Sequence, residues 1–250
     1  MFEIGIYEFS FLQLTVLVLA VTLIGMAKTG VQGAGLIAVP VLALIFGARD
    51  STGVLLPILI FADFFGVYYF HQHANWSLLK RLLPFTLVGV IIGTIVGELI
   101  SDLVFTQLMV VTIALCVAMM VWRELSKEQD VPTSLWFSAS CGIAGGFMSM
   151  VGNLAGPVMA LYLLTMRLPK NQLIGTGAWF FLVVNLIKLP FHIWVWGTID
   201  SNILFFDLFV IPAVAIGALL GVKIVTLIPE KGYRWFVIVM VAVTAMPMMF

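Results

Sequence analysis

The chain has 250 residues, 62% of them hydrophobic and 10% charged, with 12 basic and 12 acidic side chains cancelling to a formal net charge of zero. Soluble domains run nearer roughly 45–50% apolar and about 25% charged, so this composition excludes an ordinary soluble domain. The neutral balance, without any long basic or acidic block, also excludes a nucleic-acid partner.

Runs such as 82–100, 103–122 and 203–225 approach or exceed the ~20 residues that cross ~30 Å of hydrocarbon as helix, and the alternation of a membrane barrel strand is missing. The expected fold class is an all-α polytopic membrane protein. The opening "MFEIGIYEFS" carries Glu3 and Glu8 but no Lys or Arg, the wrong flank for a cleaved signal, so it is expected to stay on the mature chain. Five apolar segments follow, at 11–26, 36–46, 53–70, 82–100 and 103–122. A polar connector, "RELSKEQDVP" (123–132), precedes five more, at 135–150, 157–166, 173–196, 203–225 and 235–250.

The two sets correspond. Pro40 followed by "VLAL" matches Pro157 followed by "VMAL", "FHQHANW" (70–76) matches "FHIWVWG" (191–197), and "GTIVG" (93–97) matches "GALLG" (217–221). The organisation is one transmembrane domain, 1–250, built of two repeats, 1–125 and 132–250.

In each repeat the second segment is short. At 1.5 Å per residue, 36–46 and 157–166 reach only about 15–17 Å, half a crossing. Each first pair is therefore either one broken helix that crosses once or a hairpin that dips in and returns. If hairpins, the repeats are inverted and one face collects Lys80, Arg81, Arg123, Lys127, Arg167, Lys170, Lys223, Lys231 and Arg234, with Arg49 alone on the other. If single crossings, the same loops split nearly evenly. Positive charge concentrates on cytoplasmic loops, so the hairpin reading wins, with both termini outside. Two full crossings per pair would give the same loop signs, and only segment length argues against them.

The breaks carry the chemistry. "AKTGVQGAGLIAVP" (27–40) and "SMVGNLAGP" (149–157) place glycine-rich backbone at membrane depth, tolerated only against protein or a water-filled cavity. Each leads into a half-helix whose first amides lack intrahelical partners, and two such ends converging suit a small anion. Lys28, Thr29, Gln32, Gly33 and Gly35 come from the first break, Ser149, Asn153 and Gly156 from the second, and Lys188 from deep in 173–196. Asp63, mid-way along its segment, is a counter-ion for Lys188 or a proton-coupling carboxylate.

Duller roles are assigned elsewhere. Gly93/Gly97 and Gly217/Gly221 read as close helix packing, and His71, His73 and His192 as interfacial rings rather than metal ligands. Cys116 and Cys141 read as small packing residues, and Trp76, Trp122, Trp194, Trp196 and Trp235 as an interfacial belt. No hydrolase, zinc-protease or nucleotide-binding motif is present, so neither an enzyme nor a cofactor or ATP site is expected.

The first break, "GVQGAGLIAVPVL" (30–42), resembles the glycine-rich stretch ending in Pro-hydrophobic-Leu of the sulfite exporter TauE/SafE family. "GNLAGPVMALYLLTMRLPKNQLIGTGAWFFLVVNLIKLP" (152–190) resembles that family's Gly-Pro half-helix, its Leu-Pro-Lys loop and the following helix, here with Asn185 and Lys188. The first break departs from the family's adjacent glycines by having Ala34 between Gly33 and Gly35. The resemblance implies a secondary transporter in the bacterial cytoplasmic membrane that exports a small anion such as sulfite, a sulfonate or a short carboxylate. It adds Asn185 to the substrate site. A passive anion channel is the runner-up and a membrane scaffold the third reading. The expected partners are the anion and membrane lipid, and the apolar outer faces fit lipid or a homodimer equally.

Overall fold

The computed structural model describes residues 2–4, 7–97, 99, 101–125 and 134–245. Lys127, most of the connector and the end of the last expected segment lie outside them. Among the described residues a small antiparallel hairpin, β1 Phe2–Ile4 and β2 Tyr7–Phe9, precedes ten α-helices. Its three-residue strands are too short to stand out from the apolar run that follows.

Residues 1–125 contain α1 Phe11–Lys28, α2 Ala38–Phe46 with a tight 3₁₀ lead-in at Ala34–Ile37, α3 Ala48–Phe70, α4 Trp76–Val96 and α5 Asp102–Leu125. Residues 132–250 contain α6 Leu135–Gly152, α7 Ala155–Thr165, α8 Lys170–Pro190 ending in a π-turn at Phe191–Val195, α9 Ser201–Leu227 and α10 Glu230–Ala245. Among the described residues, six helices are long and apolar enough to cross a membrane: α1, α3, α4, α6, α8 and α9. The stretches Ala34–Phe46 and Ala155–Thr165 are shorter.

Several boundaries differ from expectation for local reasons. α4 starts at Trp76 rather than at residue 82, because Asn75 caps it by accepting from the Leu78 amide at 3.2 Å. The helix then runs on through Lys80 and Arg81, where hydropathy alone would stop. Other starts are capped too: Ser10 and Gln13 form a reciprocal capping box on α1, Ser134 accepts from Trp136 on α6, and Asp200 from Ile203 on α9. By contrast, α2 and α7 begin without a side-chain cap.

Each short helix folds back along its long partner. The end of α2 returns to the start of α1, where Phe46 meets Phe9 with ring centroids 6.0 Å apart. Likewise Tyr162, near the end of α7, stacks on Phe137 at 5.8 Å, at the start of α6. Both pairs are hairpins of unequal arms, 18 residues against 9 and 18 against 11. The turns use permissive backbone: Gly30 and Gly33 have φ of 122° and 94°, and Asn153 closes α6 in the left-handed region at φ 57°.

Packing pairs α1 with α9 and α4 with α6, each pair joining a helix of 1–125 to one of 132–250. Both contacts are backbone on backbone. A Cβ on Gly217 would lie 2.0 Å from the Thr22 oxygen, and one on Gly89 2.2 Å from the Ile143 oxygen. Gly93 and Gly221 sit at the same interfaces, while Gly97 abuts the Trp196 ring. The helices α3 and α8 cross between the pairs and run antiparallel: Gly53 near the start of α3 meets Thr198 just past α8, and Gly175 near the start of α8 meets Phe70 at the end of α3. Two apolar clusters result, one around α7 and one around α2 capped by Phe9 of the hairpin.

Trp76, Trp122, Trp194 and Trp235 are exposed near helix ends, whereas Trp196 is half-buried and donates to the Thr94 oxygen at 3.2 Å. Cys116 and Cys141 are free thiols.

Candidate functional site

The two hairpin tips meet at one cavity of about 80 Å³. A single water needs roughly 10–15 Å³ on this measure, so a small polyatomic ion fits. Gln32, Gly33, Gly35 and Leu36 line it from the first tip, Asn153 and Gly156 from the second, with Lys28 and Phe181 beside them. The tips touch: a Cβ on Gly156 would meet Leu36 Cδ2 at 3.8 Å. The first tip is pinned from α10, where Tyr233 Oη donates to the Gly30 oxygen at 2.7 Å. Because α7 opens uncapped, its first amides, Ala155 and Gly156, have no acceptor within their own helix.

Charge is concentrated at this junction. Lys28 Nζ lies 2.9 Å from Asp63 Oδ1 and 4.1 Å from the centre of the Phe181 ring. The Lys28–Asp63 contact is an ion pair. The other Asp63 oxygen accepts from Asn185 Nδ2 at 2.6 Å. Lys188 Nζ donates to Asn185 Oδ1 at 3.3 Å and to Asn153 Oδ1, and Asn153 Nδ2 donates to the Thr52 oxygen at 3.2 Å. This polar chain runs from the first tip through α3 and α8 to the second. Asp63, Lys188 and Asn185 are fully or almost fully buried.

The expected residues therefore sort by position. Lys28, Gln32, Gly33, Gly35, Asn153 and Gly156 face the cavity. Asn185 and Lys188 stand behind them, linked through Asn153. Thr29 and Ser149 do not line it: Thr29 is fully buried and donates to the Ala218 oxygen of α9 at 2.9 Å, a packing role, and Ser149 is buried within α6. Asp63 pairs with Lys28, correcting the expectation that it neutralises Lys188. The half-helix on the second side starts at Ala155, two residues before Pro157.

His192 is also relocated. It is not an interfacial ring but is completely buried in the π-turn, with Nδ1 2.9 Å from Thr198 Oγ1 and its ring edge-on to Trp196. Among the described residues no three His, Cys, Asp or Glu side chains converge as a metal site.

One participant in the site and one buried carboxylate outside it are not among the residues expected from sequence. Phe181 lies four and seven residues before Asn185 and Lys188, hence on the same face of α8, a spacing that was available to read. Asp207 of α9 is 4% exposed, and neither of its oxygens has a hydrogen-bond partner among the described residues. It stands near Tyr7 at the hairpin end of the molecule. The Tyr7 hydroxyl is pushed up by burial and then by the charges of Asp200, Asp50 and Asp207. A carboxylate inside "LFFDLFV" was as visible as Asp63.

No curated protein and no solved structure matches the chain. A family model described as sulfite exporter TauE/SafE matches residues 17–248, nearly the whole length. With six helices among the described residues long and apolar enough to cross a membrane, and a model match over residues 17–248, the chain belongs to the sulfite exporter TauE/SafE family and is a multi-pass membrane transporter.

Proposed function

We propose that this chain is a secondary carrier that exports a small anion, sulfite, an organosulfonate or a short carboxylate, by alternating access at the cavity between the two tips. The observation that carries this reading is the convergence of both hairpin tips on a cavity edged by Lys28, Gln32 and Asn153, with Lys188 immediately behind. Glycines there let an ion approach backbone amides, and the ammonium groups supply the opposite charge.

In this reading the repeats are inverted in the bacterial cytoplasmic membrane, with both termini outside. The antiparallel crossing of the equivalent helices α3 and α8, and the exchange of the α1/α9 and α4/α6 pairs, support inversion. Basic side chains also gather at one end. Lys170 donates to the Val225 and Ile228 oxygens closing α9, and Arg234 pairs with Glu124 near the end of α5 at 2.8 Å. Rocking of one repeat against the other would expose the cavity to each side in turn. Asp63 serves as the counter-ion that releases Lys28 when an anion arrives; proton-dependent transport that is lost in Asp63→Asn would add a coupling role.

The deciding experiment is counterflow in proteoliposomes. Unlabelled sulfonate loaded inside should accelerate entry of labelled sulfonate several-fold. Entry indifferent to the loaded anion would identify a passive channel instead. Cysteines placed at positions 80 and 170 should label from the same side, and labelling from opposite sides would end the inverted arrangement.

A further inference from the structure

Resting on the anion-site reading above, we infer that the cavity selects by charge: it takes a singly charged anion in preference to a doubly charged one of the same shape. The inference comes from a count of formal charges at the junction, with both lysines taken as ammonium ions. Three formally charged side chains meet at the junction: Lys28, Asp63 and Lys188. Asp207, also buried, belongs to the hairpin end, and the Arg234–Glu124 pair and Lys170 belong to the opposite end. The polar neighbours Gln32, Asn153 and Asn185 are neutral.

Asp63 is fully engaged, with Lys28 against one oxygen and Asn185 on the other. The orientations of both asparagine amides then follow. Asn185 Nδ2 must face the Asp63 carboxylate and Asn153 Nδ2 must face the Thr52 carbonyl, because both of those groups only accept. Each amide therefore turns its oxygen toward Lys188 Nζ, the one arrangement in which every contact has a donor and an acceptor. Lys188 thus meets two neutral oxygens and, among the described residues, no carboxylate within ion-pair distance. An ammonium has three donors, so one N–H remains uncommitted.

The formal charges sum to +1, in a side-chain cluster closed to solvent around Asp63 and Lys188, both 0% exposed. A buried net charge is costly, and an occupant carrying one negative charge cancels it. A dianion of equal size leaves the site at −1 and brings a second hydration shell to strip. Asp63 sets the rule: remove its charge and the surplus becomes two, which a dianion matches.

Methanesulfonate and sulfate test this, being similar tetrahedral ions of charge −1 and −2. Binding of each to the purified full-length protein is read as ligand-dependent thermal stabilisation at neutral pH and constant ionic strength. The expected result is at least tenfold tighter binding of methanesulfonate by the wild type, with the ratio falling to one or below in Asp63→Asn. The double variant Lys28→Met/Asp63→Asn restores the +1 sum and should restore the preference for methanesulfonate, which a merely structural role for Asp63 would not do. Sulfate binding as tightly as methanesulfonate to the wild type overturns the charge rule while leaving the anion site intact. Binding of neither ion overturns the anion site and the rule with it. Should Asp63→Asn fail to fold, the wild-type ratio and the double variant decide.

Discussion

Asp63 on α3 makes its ion pair with Lys28 at the end of α1, 2.9 Å away, and leaves Lys188 on α8 to two asparagine oxygens. The pair ties the first hairpin to the central helix crossing, so it contributes to the fold as well as to the site. Its side chains are 11% and 0% exposed, deep enough that removing one partner strands the other. Lys28→Met or Asp63→Asn alone should each cost about 3–5 kcal/mol, whereas the double variant should cost clearly less than the sum. Thermal unfolding of the four proteins in one detergent closes this cycle, and additive losses would show that the two charges do not depend on each other.

The glycines separate packing from function. At Gly217 and Gly89 an added Cβ would strike a facing carbonyl oxygen at 2.0 and 2.2 Å, so the helices must part. Gly217→Ala and Gly89→Ala should each destabilise by roughly 1–3 kcal/mol. Gly145, where the nearest atom would be 3.7 Å away, should accept alanine with no loss. Gly156 is the informative case. Its Cβ would meet only Leu36 Cδ2, at 3.8 Å, yet it lines the cavity. Gly156→Ala should melt like the wild type while binding anion more weakly, and unchanged affinity would remove Gly156 from the site.

The segment order, the short second arm of each hairpin and the meeting of the two glycine-rich tips were legible in the sequence because each depends on length and on residue type. Azimuth was not legible within the tips. Thr29 follows Lys28 by about 100° of helix rotation, which turns it to the α9 backbone instead of the cavity. Ser149, in the last turn of α6, is buried and likewise does not line the cavity. The partner of Asp63 was also beyond reach, since α1 and α8 both present a lysine to it and only the packing of three helices decides between them. The π-turn that buries His192 depends on how the chain passes Pro190, which no spacing rule displays.

At the solvent edge of α9, Asp200 offers a pH prediction. Its carboxylate accepts from the Ile203 amide at 2.8 Å, and that bond holds its pKa below the usual carboxylate value. A lowered native value means the cap's contribution is fully present above the unfolded-state value near 4 and fades as pH falls through the native one. Asp200→Ala should cost about 1 kcal/mol at neutral pH. Asp200→Asn should keep most of the cap and lose the acid dependence, so from neutral to acid pH the wild-type unfolding midpoint should fall toward those of the variants while the gap between Asp200→Asn and Asp200→Ala stays constant. A wild-type curve parallel to theirs would contradict the assignment.

Asp207 makes the sharpest demand on stability. A carboxylate 4% exposed, with neither oxygen hydrogen-bonded among the described residues, sits beside Phe206 in the apolar cluster under the N-terminal hairpin. Unpaired polar groups in such surroundings cost roughly 1–3 kcal/mol, so replacing this one with an apolar group of similar size should be a gain. Asp207→Leu is expected to raise the unfolding midpoint, and Asp207→Asn, which keeps polar atoms to satisfy, should raise it less. A fall in both would mean that the carboxylate has a stabilising partner in the membrane-embedded protein. Counterflow on the stabilised Asp207→Leu protein then separates two meanings of the gain. Transport retained marks a tolerated flaw in packing, whereas transport lost with stability gained marks a carboxylate kept for function away from the cavity between the tips.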